Sequence, residues 1–416
     1  MEALNLPAIA VILALLPVFY ELIPAPHWSY HIAPFWLWWA KLTHRENRLV
    51  YQNHMAKGKA LRLSPGLASI SRGFPKTEFY FRGFTNDNTE NIFTFEDNAE
   101  HSARKRVISG IFSKFFILAD ATSRCSMKKI LFGRLLSRNL TENQKERRLY
   151  LDGFFAAAPY TFWQYEIGLI PKKVDSGFHD IEQWNLEKCD KAQQLTAQGE
   201  DSLSDDDKPV VMALVLKAIS GPYAKPGQYP QWLKIASDMF AHNSVAHETS
   251  GNTLAFCLAV GSPLSFAPRA GEEWKLPTAK SIDQLPLLEA VILKSVRLYP
   301  SAAGGQPRRV PKSCSPGGCD GILAGTIVQC YAYSLHRTPD IFPEPHKWEP
   351  ERWIESGGRM CIGINFAYFS MKNVIGSIYT NFTTTLHDHG SMELEDAYLA
   401  GPEGHRLGLK FKLIET

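Results

Sequence analysis

A mainly helical fold with small sheets is the class this sequence predicts, and three observations predict it. Apolar residues recur at helical spacing over long stretches, strand-like alternation is confined to short runs, and strands and helices do not alternate regularly. The helical runs fall at Ala99 to Phe116, Arg124 to Asn139, Asp180 to Gly199, Asp205 to Ile219, Trp232 to Val260 and Leu285 to Leu298. Another follows at Asn365 to Ile378. Period-two alternation marks Thr326 to Tyr333 and Gly408 to Leu413, and Leu61 to Ser71 reads as a hairpin around Pro65-Gly66. That order disfavours a Rossmann or barrel architecture. No long Gly/Ser linker or internal repeat divides residues 43–416, so they are expected to form one domain.

Composition narrows the function. The 416 residues are 45% hydrophobic and 21% charged, the profile of a chain that buries a core. A net charge of +3, with no long Lys/Arg block, gives no footprint for nucleic acid. Seven Cys at wide spacings argue for reduced thiols rather than a disulfide framework. Cys125, Cys189, Cys257 and Cys330 read as small apolar fillers, and Cys314 with Cys319 lacks a second pair at zinc-ligand spacing. His242 and His247 are too far apart on their helix to form a metal pair on one face.

The N-terminus departs from this soluble character. Leu4 to Ile23 carries one charge, Glu21, over a length sufficient to cross a hydrocarbon core of about 30 Å. Trp28, Tyr30, Trp36, Trp38 and Trp39 follow and suit a membrane–water interface, and Lys41, Arg45 and Arg48 come only afterwards. The early charge is Glu2 rather than a basic region, and no small-x-small site precedes Pro24, which weighs against a cleaved signal. Residues 1–42 are therefore expected to be a retained anchor and interfacial segment, with the body on the cytosolic side.

The most specific chemistry lies at Gly357-Gly358-Arg359-Met360-Cys361-Ile362-Gly363. Glycines on both sides of Cys361 let backbone N–H groups approach its sulfur, and Arg359 adds positive potential. Both favour a metal-binding thiolate. The helical run beginning at Asn365 points its positive end at the same sulfur.

This loop resembles the heme loop of the cytochrome P450 family of heme-thiolate monooxygenases, F-x-x-G-x-R-x-C-x-G, in particular its membrane-anchored fungal members. Only the leading aromatic differs, being Ile354. The resemblance implies that Cys361 is the axial ligand of heme b (iron protoporphyrin IX) and Arg359 a propionate contact. A thiolate ligand favours O–O cleavage. Val245-Ala246-His247-Glu248-Thr249-Ser250 is similar to the family's oxygen-activating motif, which makes Glu248 and Thr249 its proton-relay pair. Leu285 to Arg308 resembles the signature helix and following turn, adding Arg308 as a cofactor contact. His336 to Trp353 resembles the segment ending in P-E-R-F/W. His101 to Arg106 resembles the basic helix that reaches a propionate, with His101, Arg104 and Lys105 or Arg106 as candidates.

Three departures accompany these matches. The family's E-x-x-R appears as Lys294-Ser295-Val296-Arg297, so that with Arg352 the usual acid-centred trio becomes three cations. Losing the acid from a buried ionic network costs about 3–5 kcal/mol, and reversing its charge more. Glu289 and Glu351 are poorly placed to substitute. The chain is also short around 353–357, beneath the cofactor, and around 261–281, after the distal helix.

What the resemblance implies is a single-pass endoplasmic reticulum enzyme with its heme domain in the cytosol. It would oxidise an apolar small molecule in a fungal secondary-metabolite pathway, toxin pathways included, using NADPH-derived electrons from NADPH-cytochrome P450 reductase. Substrate is expected over Phe240 to Thr249, bounded by Ala302 to Gln306 and Leu399 to His405. Lys294 and the short segments raise an alternative, a degenerate and catalytically inactive membrane protein. Another keeps heme but rearranges a peroxide without external electrons, against which the intact Glu248-Thr249 pair argues.

Overall fold

The computed structural model describes residues 25, 27, 29, 33–64, 67–69, 89–119, 131–132, 135–136, 143–157, 171–199, 202–220, 231–260, 278–314, 322–349 and 363–414. The apolar stretch Leu4 to Ile23, the run Arg124 to Asn139 for the most part, the short segments at 261–277 and 353–357, and the loop carrying Arg359 and Cys361 lie outside them. Among the described residues no helix is long and apolar enough to cross a membrane.

The first elements among the described residues are α1 (Phe35–Leu42) and α2 (Glu46–Lys57), then a hairpin, β1 (Leu61–Ser64) and β2 (Leu67–Ser69). A helical body follows: α3 (Asn98–Ile108), a 3-10 turn at Ser109–Phe112, α4 (Lys114–Ala119), α5 (Gln144–Ala157), α6 (Lys172–Ala197), α7 (Val210–Ser220) and α8 (Gln231–Val260). Next come α9 (Ala279–Asp283), α10 (Pro286–Leu298), β3 (Gly305–Arg309), β4 (Ile327–Tyr331) and α11 (Ala332–Leu335). The chain ends with α12 (Ile364–Asn381), β5 (Phe382–His389) and β6 (Leu407–Leu413). One sheet has the order β1-β2-β4-β3, with β2 and β4 parallel, and β5 pairs with β6 antiparallel. A mainly helical architecture with small sheets is thus what the sequence forms.

Local chemistry sets the element boundaries. The expected run from Ala99 to Phe116 is broken, because Ser113 is extended at φ −72 and ψ 146 and its Oγ accepts from Phe116 N to start α4. Thr278 caps α9 in the same way, accepting from Ser281 N at 3.2 Å. Pro286 opens α10, where its missing N–H costs nothing. The strand expected through Tyr333 stops at Tyr331 and coils into α11.

Helix α2 starts at Arg45, which has no acceptor for the free N–H groups of the first turn. Asp396, far along the chain, supplies it: Asn47 N and Arg48 N donate to its two carboxylate oxygens at 2.7 and 3.0 Å. Asn47 Nδ2 also donates to Ala397 O and Arg48 Nη2 to Leu394 O, so α2 fixes the 394–397 segment in place.

The long helix α8 is the spine, about 45 Å at 1.5 Å per residue. Its first half buries Ile235, Ala236, Met239 and Phe240 in the main core with α3 to α7 and with Phe366 and Phe369 of α12. Its second half places Cys257 with Ile282, Leu288, Ile292, Met371, Ile375 and Tyr379, the seam between α9, α10 and α12. Lys372 of α12, itself buried, joins that seam by ion pairs to Asp283 at 3.2 Å and Glu289 at 3.0 Å, and Lys114 reaches Asp283 at 2.6 Å.

Helices α5 and α6 cross where two glycines meet. A Cβ on Gly153 would stand 3.0 Å from the carbonyl oxygen of Gly177 and 3.2 Å from Ile181 Cγ1. Backbone cannot move aside cheaply, so this contact needs glycine for its close approach. Gly153→Val should destabilise by roughly 1–3 kcal/mol in urea unfolding, whereas Gly110→Ala, with nothing within 4 Å of its Cβ, should not destabilise.

Candidate active site

The middle of α8 brings a carboxyl and hydroxyls into the interior. Thr249 Oγ1 donates to Val245 O at 2.8 Å, which leaves its lone pairs as the free side of the hydroxyl. The Thr249 carbonyl accepts from both Thr253 Oγ1 and Ser301 Oγ, each at 2.9 Å, and those two hydroxyls lie 3.1 Å apart. Beside them Glu248 is mostly buried, and its Oε2 has no hydrogen-bond partner. Burial pushes its pKa up to about 7, and the charge of Glu395 adds to the rise. A carboxyl poised to hold or release a proton near neutral pH thus adjoins a hydroxyl that can accept one.

Two remote segments close over this stretch. Ala302 bridges to Leu399, Ala400 N donates to Ser301 O at 2.9 Å, and Gly304 N donates to Tyr398 O at 3.2 Å. A Cβ on Gly304 would lie 2.7 Å from Tyr398 Cα, so glycine permits that approach. A Cβ on Gly401 would lie 3.0 Å from Oδ1 of Asn252, the residue one turn beyond Glu248 on α8.

On the other side of α8, aromatic rings and buried ions accumulate. Arg104 of α3 is buried and its Nε pairs with Asp238 at 3.0 Å, while Asp238 Oδ1 accepts from Ile92 N at 2.7 Å. His242 stacks on Phe112 with ring centroids 5.4 Å apart, and burial and then the charge of Arg104 push its pKa down to about 4. Asn365 Nδ2 donates to Phe112 O at 3.0 Å, which ties the start of α12 to the turn after α3. His247 faces Tyr150 and Phe154 of α5 instead, at 5.4 and 4.5 Å. The two histidines therefore occupy different surroundings, as their spacing predicted.

Of the remaining candidates, His101 is half-buried on α3, and Arg308 lies on the edge strand β3, where its Nη1 donates to Pro307 O at 2.8 Å. Cys361 and Arg359 fall outside the described residues. What is described is the helix they precede. Gly363 stands at the N-cap of α12 and, being glycine, offers no side-chain acceptor to the first N–H groups of this 18-residue helix.

The altered signature helix is packed inside. Lys294 is 0% exposed and Arg297 2%. Arg297 Nη1 donates to His336 O at 2.7 Å, and its guanidinium lies over the Phe342 ring at 5.0 Å. Arg337 donates to Leu298 O and Tyr333 O and lies 3.8 Å over the Tyr333 ring. Backbone carbonyls and aromatic faces thus take up much of this cationic charge. Glu289 is committed to Lys372, in keeping with its exclusion as a substitute.

Sequence reading missed Ser301, Thr253, Tyr150 and Glu395. Thr253 was visible one turn beyond Thr249, but the other three reach α8 only through tertiary packing.

Because the fold raises the Glu248 pKa, native protein holds that proton more tightly than unfolded chain does. Stability therefore falls as pH rises from 4.5 through about 7, then levels off. Glu248→Gln should leave the urea midpoint unchanged at pH 4 and raise stability by roughly 2–3 kcal/mol at pH 8. An equal effect at both pH values would contradict the assignment.

Comparison with known proteins agrees with this arrangement. The cytochrome P450 family profile matches residues 269–405. Cytochrome P450 monooxygenase hkm5 of Aspergillus hancockii is 30% identical over 162 residues, covering 35% of this chain and 29% of that one. Benzoate 4-monooxygenase bphA of Aspergillus niger is 24% identical over 197 residues, covering 42% and 38%. The match thus spans about a third of the length of these relatives. The crystal structure of the cytochrome P450DA heme domain superposes with a TM-score of 0.70 at 16% identity, covering 94% of this chain and 98% of that one, a likeness of fold. Profile, relatives and fold together support a resemblance to the cytochrome P450 family, with the sequence match confined to about a third of the chain.

Proposed function

We propose that the chain is a heme-thiolate monooxygenase that inserts one oxygen atom into an apolar small molecule, within fungal secondary metabolism. The observation that carries this reading is the buried Glu248 carboxyl beside Thr249 on α8, closed over by the 301–304 and 398–401 segments. When bound, heme b supplies the oxygen-activating chemistry. Cys361 would hold it from the loop ahead of Gly363, where the uncapped start of α12 favours a thiolate. Arg359, His101 and Arg308 would neutralise its propionates, whereas the charge of Arg104 is met by Asp238 inside the core.

The chain's own residues manage protons and water. Glu248 can hold or release a proton near neutral pH because burial disfavours its charged form. Thr249, its hydrogen turned to Val245 O, offers lone pairs to receive that proton and pass it on. Ser301 and Thr253 pin the Thr249 carbonyl, which holds this turn of α8 in place. Substrate would lie over this stretch, walled by Ala302 to Gln306 and Leu399 to His405. The relatives hkm5 and bphA are monooxygenases by name, which supports the reaction class.

Electrons would come from NADPH-cytochrome P450 reductase. A single-pass anchor in the endoplasmic reticulum membrane, with the heme domain cytosolic, is proposed from Leu4 to Ile23. Exposed Phe35, Trp38, Trp39 and Leu42 on α1 support an interfacial seat beside membrane lipid.

One observation favours the second reading, a degenerate and inactive descendant: Lys294 is wholly buried beside Arg297, where the family places an acid. Reduced-minus-CO difference spectra of membranes carrying the wild type, Cys361→Ser and Lys294→Glu separate the two. A strongly red-shifted Soret band in the wild type, lost in Cys361→Ser, is expected. A featureless wild-type spectrum restored by Lys294→Glu would establish the degenerate reading, and featureless spectra in both would overturn the catalytic one.

A further inference from the structure

The loop that meets the 301–304 turn is held from two sides. Leu394 bridges to Pro402, Glu395 N donates to Gly401 O at 2.9 Å, and Glu403 N donates to Glu393 O at 2.9 Å, which closes 393–403 on itself. Its tip runs from Asp396 to Ala400. Asp396 and Ala397 are bonded to α2, by Asn47 N, Arg48 N and Asn47 Nδ2. Tyr398 and Ala400 are bonded to the 301–304 turn, through Gly304 N and Ser301 O. Two residues span at most about 7 Å, so a movement at Asp396 reaches Tyr398 with little slack to absorb it.

The α2 end is the firm one. Val50 is wholly buried with Leu37, Leu61, Leu63 and Tyr331, and the Tyr331 hydroxyl donates to Glu46 Oε1 at 2.6 Å. Arg48 holds both arms of the loop, by Nη2 to Leu394 O at 3.1 Å and by an ion pair to Glu403 at 3.7 Å. Asp396 itself is buried. Burial raises its pKa to about 6, with the charge of Glu46 adding to the rise and the two N–H bonds and Arg48 opposing it. At pH 7.5 both of its oxygens are therefore ionised acceptors. Below the tip, Leu394 and Ala400 rest on Phe256 of α8 and on Ala303. Apolar contact of that kind has no preferred direction and lets a loop slide. A carboxylate accepting from two fixed N–H groups does not, because those bonds demand one geometry.

We propose that Asp396 is a positioning residue for the site. By capping α2 from the loop, it fixes how far Tyr398 to Gly401 stand from the Glu248–Thr249 turn, and so how wide a molecule fits over α8. The selectivity rests on the reading of that turn as the active site, whereas the fastening itself is measured without turnover.

The test is hydrogen–deuterium exchange of the full chain at pH 7.5, resolved to single amides. Asp396→Ala should speed exchange about tenfold at Ala400 and Gly304, whose bonds join the two segments, as well as at Asn47 and Arg48. Met371 and Ile375 of α12 should not change. Asp396→Asn, which keeps one acceptor oxygen, should recover much of the lost protection. Faster exchange confined to Asn47 and Arg48 would overturn the proposal, because Asp396 would then serve α2 alone. Faster exchange throughout the chain would also overturn it, as would an Asn variant no better protected than Ala. In the heme-loaded chain, imidazole and the wider 4-phenylimidazole report on the space over α8 by the Soret shifts they cause. Asp396→Ala should change the ratio of their dissociation constants roughly threefold or more, and an unchanged ratio overturns the selectivity. Failure of the CO spectrum would remove the monooxygenase reading and leave the exchange result standing.

Discussion

Everything in this fold depends on burying one long helix on more than one face while leaving a polar turn inside it. Helix α8 packs its first half into the core of α3 to α7 and its second half into the seam of α9, α10 and α12. A helix so enclosed has little solvated surface on which to place Glu248, Thr249 and Thr253. Their hydrogen bonds must then be found internally or left unmade, and the structure does both. Hydroxyls are satisfied within the helix and by Ser301, while the Glu248 carboxyl keeps an oxygen without a protein partner. Leaving it so disfavours the charged form, and a neutral carboxyl that can part with a proton near pH 7 is the consequence.

The rest of the site follows from what must touch α8. The 301–304 turn is delivered by the end of α10, and the 394–403 loop is held by a helix cap on α2. Glycines at 304 and 401 allow their backbones to approach where any side chain would intervene. At its other end the core is tied to α12 through Asn365 and Phe112, so the helix that follows Cys361 starts beside the basic helix α3. Segments far apart in sequence thus meet around one turn of α8. On α10 Arg297 is met by the His336 carbonyl and the Phe342 ring.

Much of this was legible in the sequence where local chemistry decides. The extents of α8 and α10, the hairpin at β1–β2 and β6 follow from periodicity, Pro and Gly. The Glu248-Thr249 pair was recognisable by its motif. What escaped was set at long range. Asp396 caps a helix more than three hundred residues away, β3 contains a proline and pairs only because β4 presents an edge, and α5 is a modest pattern stabilised by a glycine contact with α6.

The central claim is that this scaffold holds heme by the sulfur of Cys361. Resonance Raman spectra of the heme-loaded full chain, grown with natural or heavy-sulfur cysteine, test it most directly. An iron–ligand band that shifts with the sulfur isotope and disappears in Cys361→Ser is the predicted result. A band indifferent to the isotope, or one that persists in Cys361→Ser, would contradict it.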